Sequence, residues 1–144
     1  MDASGRQRWL RMVILIGVVY FVIGIAFGAF AGWSASNQMR VTWRLLAFLT
    51  SGVAFALHIG YEHFRLGNSP RKTAWHTSMA VALGAFALAV AANVHSQWGA
   101  SSHQRSLLVF ALVAWPALTA VPAFVVALVA SAGLDLRRPE RLVK

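Results

Sequence analysis

Four long apolar stretches alternate with short polar breaks along the chain, at about 12–32, 41–64, 73–95 and 107–132. Each meets or exceeds the roughly 20 residues an α-helix needs to cross the hydrocarbon core of a bilayer. Backbone polar groups in that core find no water, so a spanning segment must satisfy them internally, as a helix does. The pattern therefore predicts an all-α membrane protein, a bundle of four transmembrane helices over about 12–32, 41–66, 70–97 and 105–132. Basic tails at 1–11 and 133–144 flank it, and 144 residues fit a single domain.

The breaks carry turn chemistry. Gly67 suits a left-handed position after the second helix, and Asn68, Ser69 as N-cap and Pro70 as first helical residue open the third. A turn this tight predicts that the second and third helices are antiparallel neighbours. Gly32 and Ser36-Asn37 play similar parts between the first two helices. The third is expected to end near Gly99, Ser101-Ser102-His103-Gln104 reads as a capping box for the fourth, and Gly133 is expected to end it. Pro116 and Pro122 should bend the fourth helix and free carbonyls for Thr119 or water.

Composition agrees, with 58 % hydrophobic and 12 % charged residues against about 25 % charged in soluble domains. The absence of cysteine excludes disulfides, thiolate metal sites and cysteine nucleophiles. The net charge of +9 raises the possibility of nucleic acid, but its placement points to a membrane instead. Arg6, Arg8 and Arg11, then Arg65, Arg71 and Lys72, then Arg137, Arg138, Arg141 and Lys144 belong to one side of an even-numbered bundle. Only Arg40, Arg44 and Arg105 remain for the other. The positive-inside rule puts both termini in the cytoplasm, in keeping with a bacterial inner membrane, with the basic tails against anionic headgroups. Arg6 to Arg11, the apolar run and Ala29-Phe30-Ala31 mimic a cleavable signal, but so long a run is expected to stay as the first helix.

Trp33 to Arg40 resembles Trp98 to Arg105, with tryptophan and arginine at the same spacing in two outer turns. Interfacial tryptophan and snorkelling arginine explain this without a duplicated hairpin. Gly17, Gly24, Gly28 and Gly32 form a small-residue stripe on the first helix. Ala80, Gly84, Ala87 and Ala91 offer a matching surface on the third, a pattern that lets helices approach closely.

Chemistry concentrates at His58-Ile59-Gly60-Tyr61-Glu62-His63. His58 and Glu62 are four apart and share a helix face. Counting from a turn centred at Asn68, at about 1.5 Å rise per residue, puts His76 level with Gly60. His58, Glu62 and His76, with Tyr61 near, are therefore candidates for an ion or proton relay, since ionisable groups inside a span are costly. Glu62 also has a purely structural reading, paired with Arg65 or Arg71. His63 and His103 are expected in headgroups or water, and Asn93 and His95, two apart, share no face.

Three function classes fit. The preferred one is a homo-oligomeric channel or transporter for protons or small ions, since imidazole titrates near cytoplasmic pH. A haem or chlorin held by His58 and His76 is the second, and an accessory subunit docking on other membrane subunits is the third. No H-E-x-x-H, acidic pair, phosphate loop or nucleotide fingerprint occurs, and Asp2, Asp135 and Glu140 are terminal, so no metal site and no enzyme is expected.

Overall fold

The computed structural model describes residues 3–96 and 102–136, and all regular structure among them is helical. The helices are α1 (Ala3–Trp33), α2 (Asn37–Phe64), α3 (Pro70–Ser96) and α4 (Ser102–Leu136). Each contains a segment long and apolar enough to span a membrane. The chain is a four-helix transmembrane bundle. Trp98, Gly99 and Ser101 lie outside the described residues, so the second outer turn and the first residue of its capping box are not placed.

Several boundaries move outward from expectation, the start of α2 to Asn37 and that of α4 to Ser102 among them. α1 begins at Ala3, so most of the basic leader is helix, and α4 continues through Gly133 to Leu136. A glycine is tolerated inside a helix at modest cost, and nothing beside Gly133 forces a stop there. The α2–α3 turn has Gly67 at φ +61°, the one described residue with positive φ. Leu66 and Asn68 donate their N–H groups to the Tyr61 and Glu62 carbonyls, and Thr73 N–H bonds the Ser69 carbonyl to open α3. At the α1–α2 turn Ser36 Oγ accepts from Met39 N–H at 3.2 Å, and Arg40 Nε donates to the Ser34 carbonyl at 3.1 Å.

α3 is the central helix. It packs most extensively along α4, next along α1, and only locally against α2, despite the tight turn joining them. The expected α2–α3 neighbourhood is therefore confined to one end. α1 and α3 run parallel and come closest at Gly17 and Gly84. A Cβ on Gly84 would sit 2.6 Å from Tyr20 Cβ and 3.0 Å from the Gly17 carbonyl oxygen. Leu83 and Leu88 fill the space in front of Gly17 and Gly24. Gly28 and Gly32 depart from the expected contact stripe, because a Cβ on either would meet nothing within 4 Å.

The interior is polar and small, while large apolar side chains face outward. The largest fully buried side chains are His63, Glu62, Thr73, Thr77 and Ser131, and the apolar core is mostly alanine: Ala74, Ala80, Ala85, Ala89 and Ala127. Phe48, Leu57, Phe110, Val113 and Leu118 are exposed. In water that inversion would be costly; in lipid it is the expected arrangement, since helices associate through small residues and polar contacts. The buried hydroxyls of Thr77 and Ser131 bond within their own helices, Thr77 Oγ1 to the Thr73 carbonyl at 2.9 Å and Ser131 Oγ to the Ala127 carbonyl. In α4, Thr119 Oγ1 bonds the Trp115 and Pro116 carbonyls at 3.0 and 3.1 Å. The carbonyls freed by the prolines are those of Leu112 and Leu118, four residues before each, so Thr119 does not fill the place expected of it.

Candidate functional site

The buried positions of α2 are His58, Ile59, Glu62 and His63, spaced to form one inward stripe at its C-terminal end. Ile59 packs with Ala74 of α3 and Ala127 of α4, wedging this end between them. The N-terminal part of α2, from 37 to 57, has no buried residue. Towards α3 and α4, α2 is thus attached at the end that carries its ionisable groups, whereas its more extensive packing is along α1, where Trp43 lies tilted against Phe27 and Phe30 with ring centroids 6.0 and 4.9 Å apart.

The structure brings Glu62, His58 and His76 together. His76 Nδ1 lies 3.0 Å from Glu62 Oε2, and Asn68 Nδ2 donates to the same oxygen. Oε1 faces His58 Nε2 at 3.7 Å, beyond direct hydrogen-bond distance. A hydrogen bond from His76 requires its proton on Nδ1, a tautomer inferred from the geometry. Trp9 of α1 stacks obliquely on the His76 ring, centroids 5.4 Å apart. The partners of Glu62 are thus two histidines and an asparagine, in place of the Arg65 or Arg71 of the structural reading.

Exposure falls along the trio. The His76 side chain is 15 % exposed, Glu62 and His58 1 % each, and His58 lies one turn deeper in the bundle than Glu62. A cavity of about 490 Å³ reaches Glu62, Asn68 and His76 between Trp9, Arg11 and Leu15 of α1 and Tyr61 of α2. Tyr61 therefore lines the approach to the carboxylate. Beyond the trio, Val13, Tyr20 and Ala80, with Ala54 and Phe55 against them, close an apolar layer. Past that layer lies a second cavity of about 350 Å³, where Tyr20, Ser51, Trp115 and Thr119 supply the polar groups.

His63 was expected in water or headgroups and is instead completely buried. Its Nδ1 is 3.7 Å from Asp135 Oδ1, so the extension of α4 past Gly133 sets an acid against α2. His63 is four residues from Ile59 and one from Glu62, and the helical wheel of the 58/59/62/63 stripe was the signal for it. Asn93 was also undervalued. Its Nδ2 donates to the Ala89 carbonyl at 2.9 Å and across to the Leu108 carbonyl of α4 at 2.8 Å, while His95 is exposed.

His58 and His76 each direct a ring nitrogen at the Glu62 carboxylate, which occupies the space a macrocycle's metal would need between them. No group of three or more potential metal ligands occurs among the described residues. What the arrangement can do is hold one proton among three acceptors of graded exposure. Comparison with protein-family models, curated proteins and solved structures finds no match for this chain.

Proposed function

We propose that the chain is a small membrane transport protein that moves protons, alone or with a small cation, through His76, Glu62 and His58. The observation that carries this reading is a carboxylate 1 % exposed, flanked by two imidazoles and reached by a cavity from one end of the bundle. A proton entering at His76 passes to Glu62 and then toward His58. Onward transfer needs the Val13–Tyr20–Ala80 layer to part, which makes the protein a gated carrier rather than an open pore. No catalytic turnover is assigned to it.

The carrier is proposed to act as a homo-oligomer in a bacterial inner membrane, with both termini cytoplasmic. The unburied part of α2 from 37 to 57 supports self-association, and the basic residues at the inner turn and tails support the orientation. Because the chain has no cysteine, single-cysteine labelling is clean: Ala35→Cys should label in intact cells and Ser4→Cys only after permeabilisation.

The decisive experiment is proton flux into liposomes driven by a potassium diffusion potential, read with an internal pH dye. Wild-type protein should acidify the lumen, Glu62→Gln should fall to the protein-free background, and His76→Gln should slow entry. Wild-type flux retained in Glu62→Gln defeats the proposal. A stoichiometric foreign subunit in gently extracted protein turns the reading to an accessory role.

A further inference from the structure

At the end of the bundle opposite Glu62, α1 and α2 part to form a cleft of about 530 Å³. Its α1 wall is Gly24, Phe27, Gly28, Ala31 and Gly32, and its α2 wall carries Arg40, Arg44 and Ala47. The arginines are four apart and so share one helix face. Arg40 is held at the rim by its bond from Nε to the Ser34 carbonyl. Arg40 lies at the first turn of α2 and Arg44 one turn further on. No Asp or Glu lines the cleft.

The volume falls within the range of small-molecule sites, about 300–1,000 Å³. The lining is divided: glycines and Phe27 make an apolar, side-chain-poor floor, and two guanidiniums mark the headgroup level. A free anion would satisfy the arginines and leave the Gly24–Phe27–Gly28 floor unfilled. An amphiphile fills both.

We propose that this cleft binds one anionic phospholipid, its phosphate forked by Arg40 and Arg44 and an acyl chain lying over Gly24, Gly28 and Gly32. Guanidinium groups suit this, because they bind phosphate oxygens in a bidentate manner and tolerate partial dehydration. The site gives a reason for two arginines on the side of the bundle poor in basic residues. It is independent of proton transfer at Glu62.

The test is native mass spectrometry of detergent-solubilised protein titrated with phosphatidylglycerol, phosphatidylcholine or inorganic phosphate. Wild-type protein should retain phosphatidylglycerol over phosphatidylcholine, and Arg40→Gln/Arg44→Gln should weaken that retention by about tenfold or more. Gly28→Leu should fill the floor and displace the lipid. A Cβ there meets nothing within 4 Å and leucine is the better helix former, so its lipid-free thermal midpoint should be no lower than that of wild type. Equal retention of both lipids, or phosphatidylglycerol retention unchanged in both variants, overturns the proposal. Inorganic phosphate that displaces the lipid completely also overturns it, and shows a site for a free anion.

Discussion

The two ends of α2 are held to the bundle in different ways. Its C-terminal end is wedged between α3 and α4 and carries all four of its buried residues, three of them ionisable. Its N-terminal part buries none and meets α1 through Trp43, set against Phe27 and Phe30 beside a cleft. In water the difference would be set by apolar area, but a lipid tail is as apolar as leucine. Polar contacts and close backbone approach then decide which helix end is fixed. The α1–α3 interface uses the second device, with Gly17 and Gly84 face to face.

The largest effect should come from removing the polar attachment. Glu62→Ala leaves His58, His76 and Asn68 facing a void, and detaches the end of α2 that is fixed. Interhelical hydrogen bonds in membranes average about 0.6 kcal/mol and reach about 1.7 kcal/mol. His76 is the partner across helices and Asn68 the one in the turn, so two lost hydrogen bonds put the loss at about 2 kcal/mol. Equilibrium unfolding in mixed micelles measures it. Glu62→Gln keeps the volume and an acceptor and should lose about 1 kcal/mol, so stability and proton flux separate in that variant. If Glu62→Ala costs no more than an exposed substitution, the polar wedge is not what fixes α2.

The spans, the turn at Gly67 and the proximity of Glu62 to His76 were legible because they rest on local rules: span length, left-handed glycine, and counting outward from a turn. The order of packing was not. α1, α3 and α4 are almost uniformly apolar around their circumference, so no stripe marks which face meets a neighbour, and the centrality of α3 left no trace in periodicity. Only α2 is clearly two-faced, and its polar groups at the C-terminal end point inward. Treating polarity as a sign of water placed His63 in headgroups, whereas the membrane interior of this bundle is where its polar side chains gather. Asp135 was set aside as terminal because Gly133 was taken as a stop, and the helix runs through it.

A medium effect should follow from closing the gap between α1 and α3. Gly84→Ala places a methyl 2.6 Å from Tyr20 Cβ and 3.0 Å from the Gly17 carbonyl oxygen. The second contact is backbone, so a side-chain rotation cannot relieve it and the helices must separate. Overpacking of this kind costs about 1–3 kcal/mol. Replacing helical glycine by alanine returns about 0.5–1 kcal/mol. The net expectation is a loss of about 1 kcal/mol, with weaker protection from exchange along both α1 and α3. A neutral Gly84→Ala would mean that the α1–α3 approach is looser than the geometry implies.

The smallest effect has the opposite sign and comes from the same substitution at the open end. Gly28→Ala adds its methyl where nothing lies within 4 Å, so there is no overpacking to set against the gain in helix propensity. Lipid-free micelles should show a gain of about 0.5 kcal/mol, with the helix content unchanged. Gly84 in the α1–α3 seam and Gly28 beside the α1–α2 cleft then respond to one methyl in opposite directions, and the presence or absence of a facing backbone separates them. Should Gly28→Ala be as destabilising as Gly84→Ala, the α1–α2 cleft is closed in the folded protein. Tight packing would then extend along the whole glycine stripe, and the contrast between the two ends of α2 would fail at its open end.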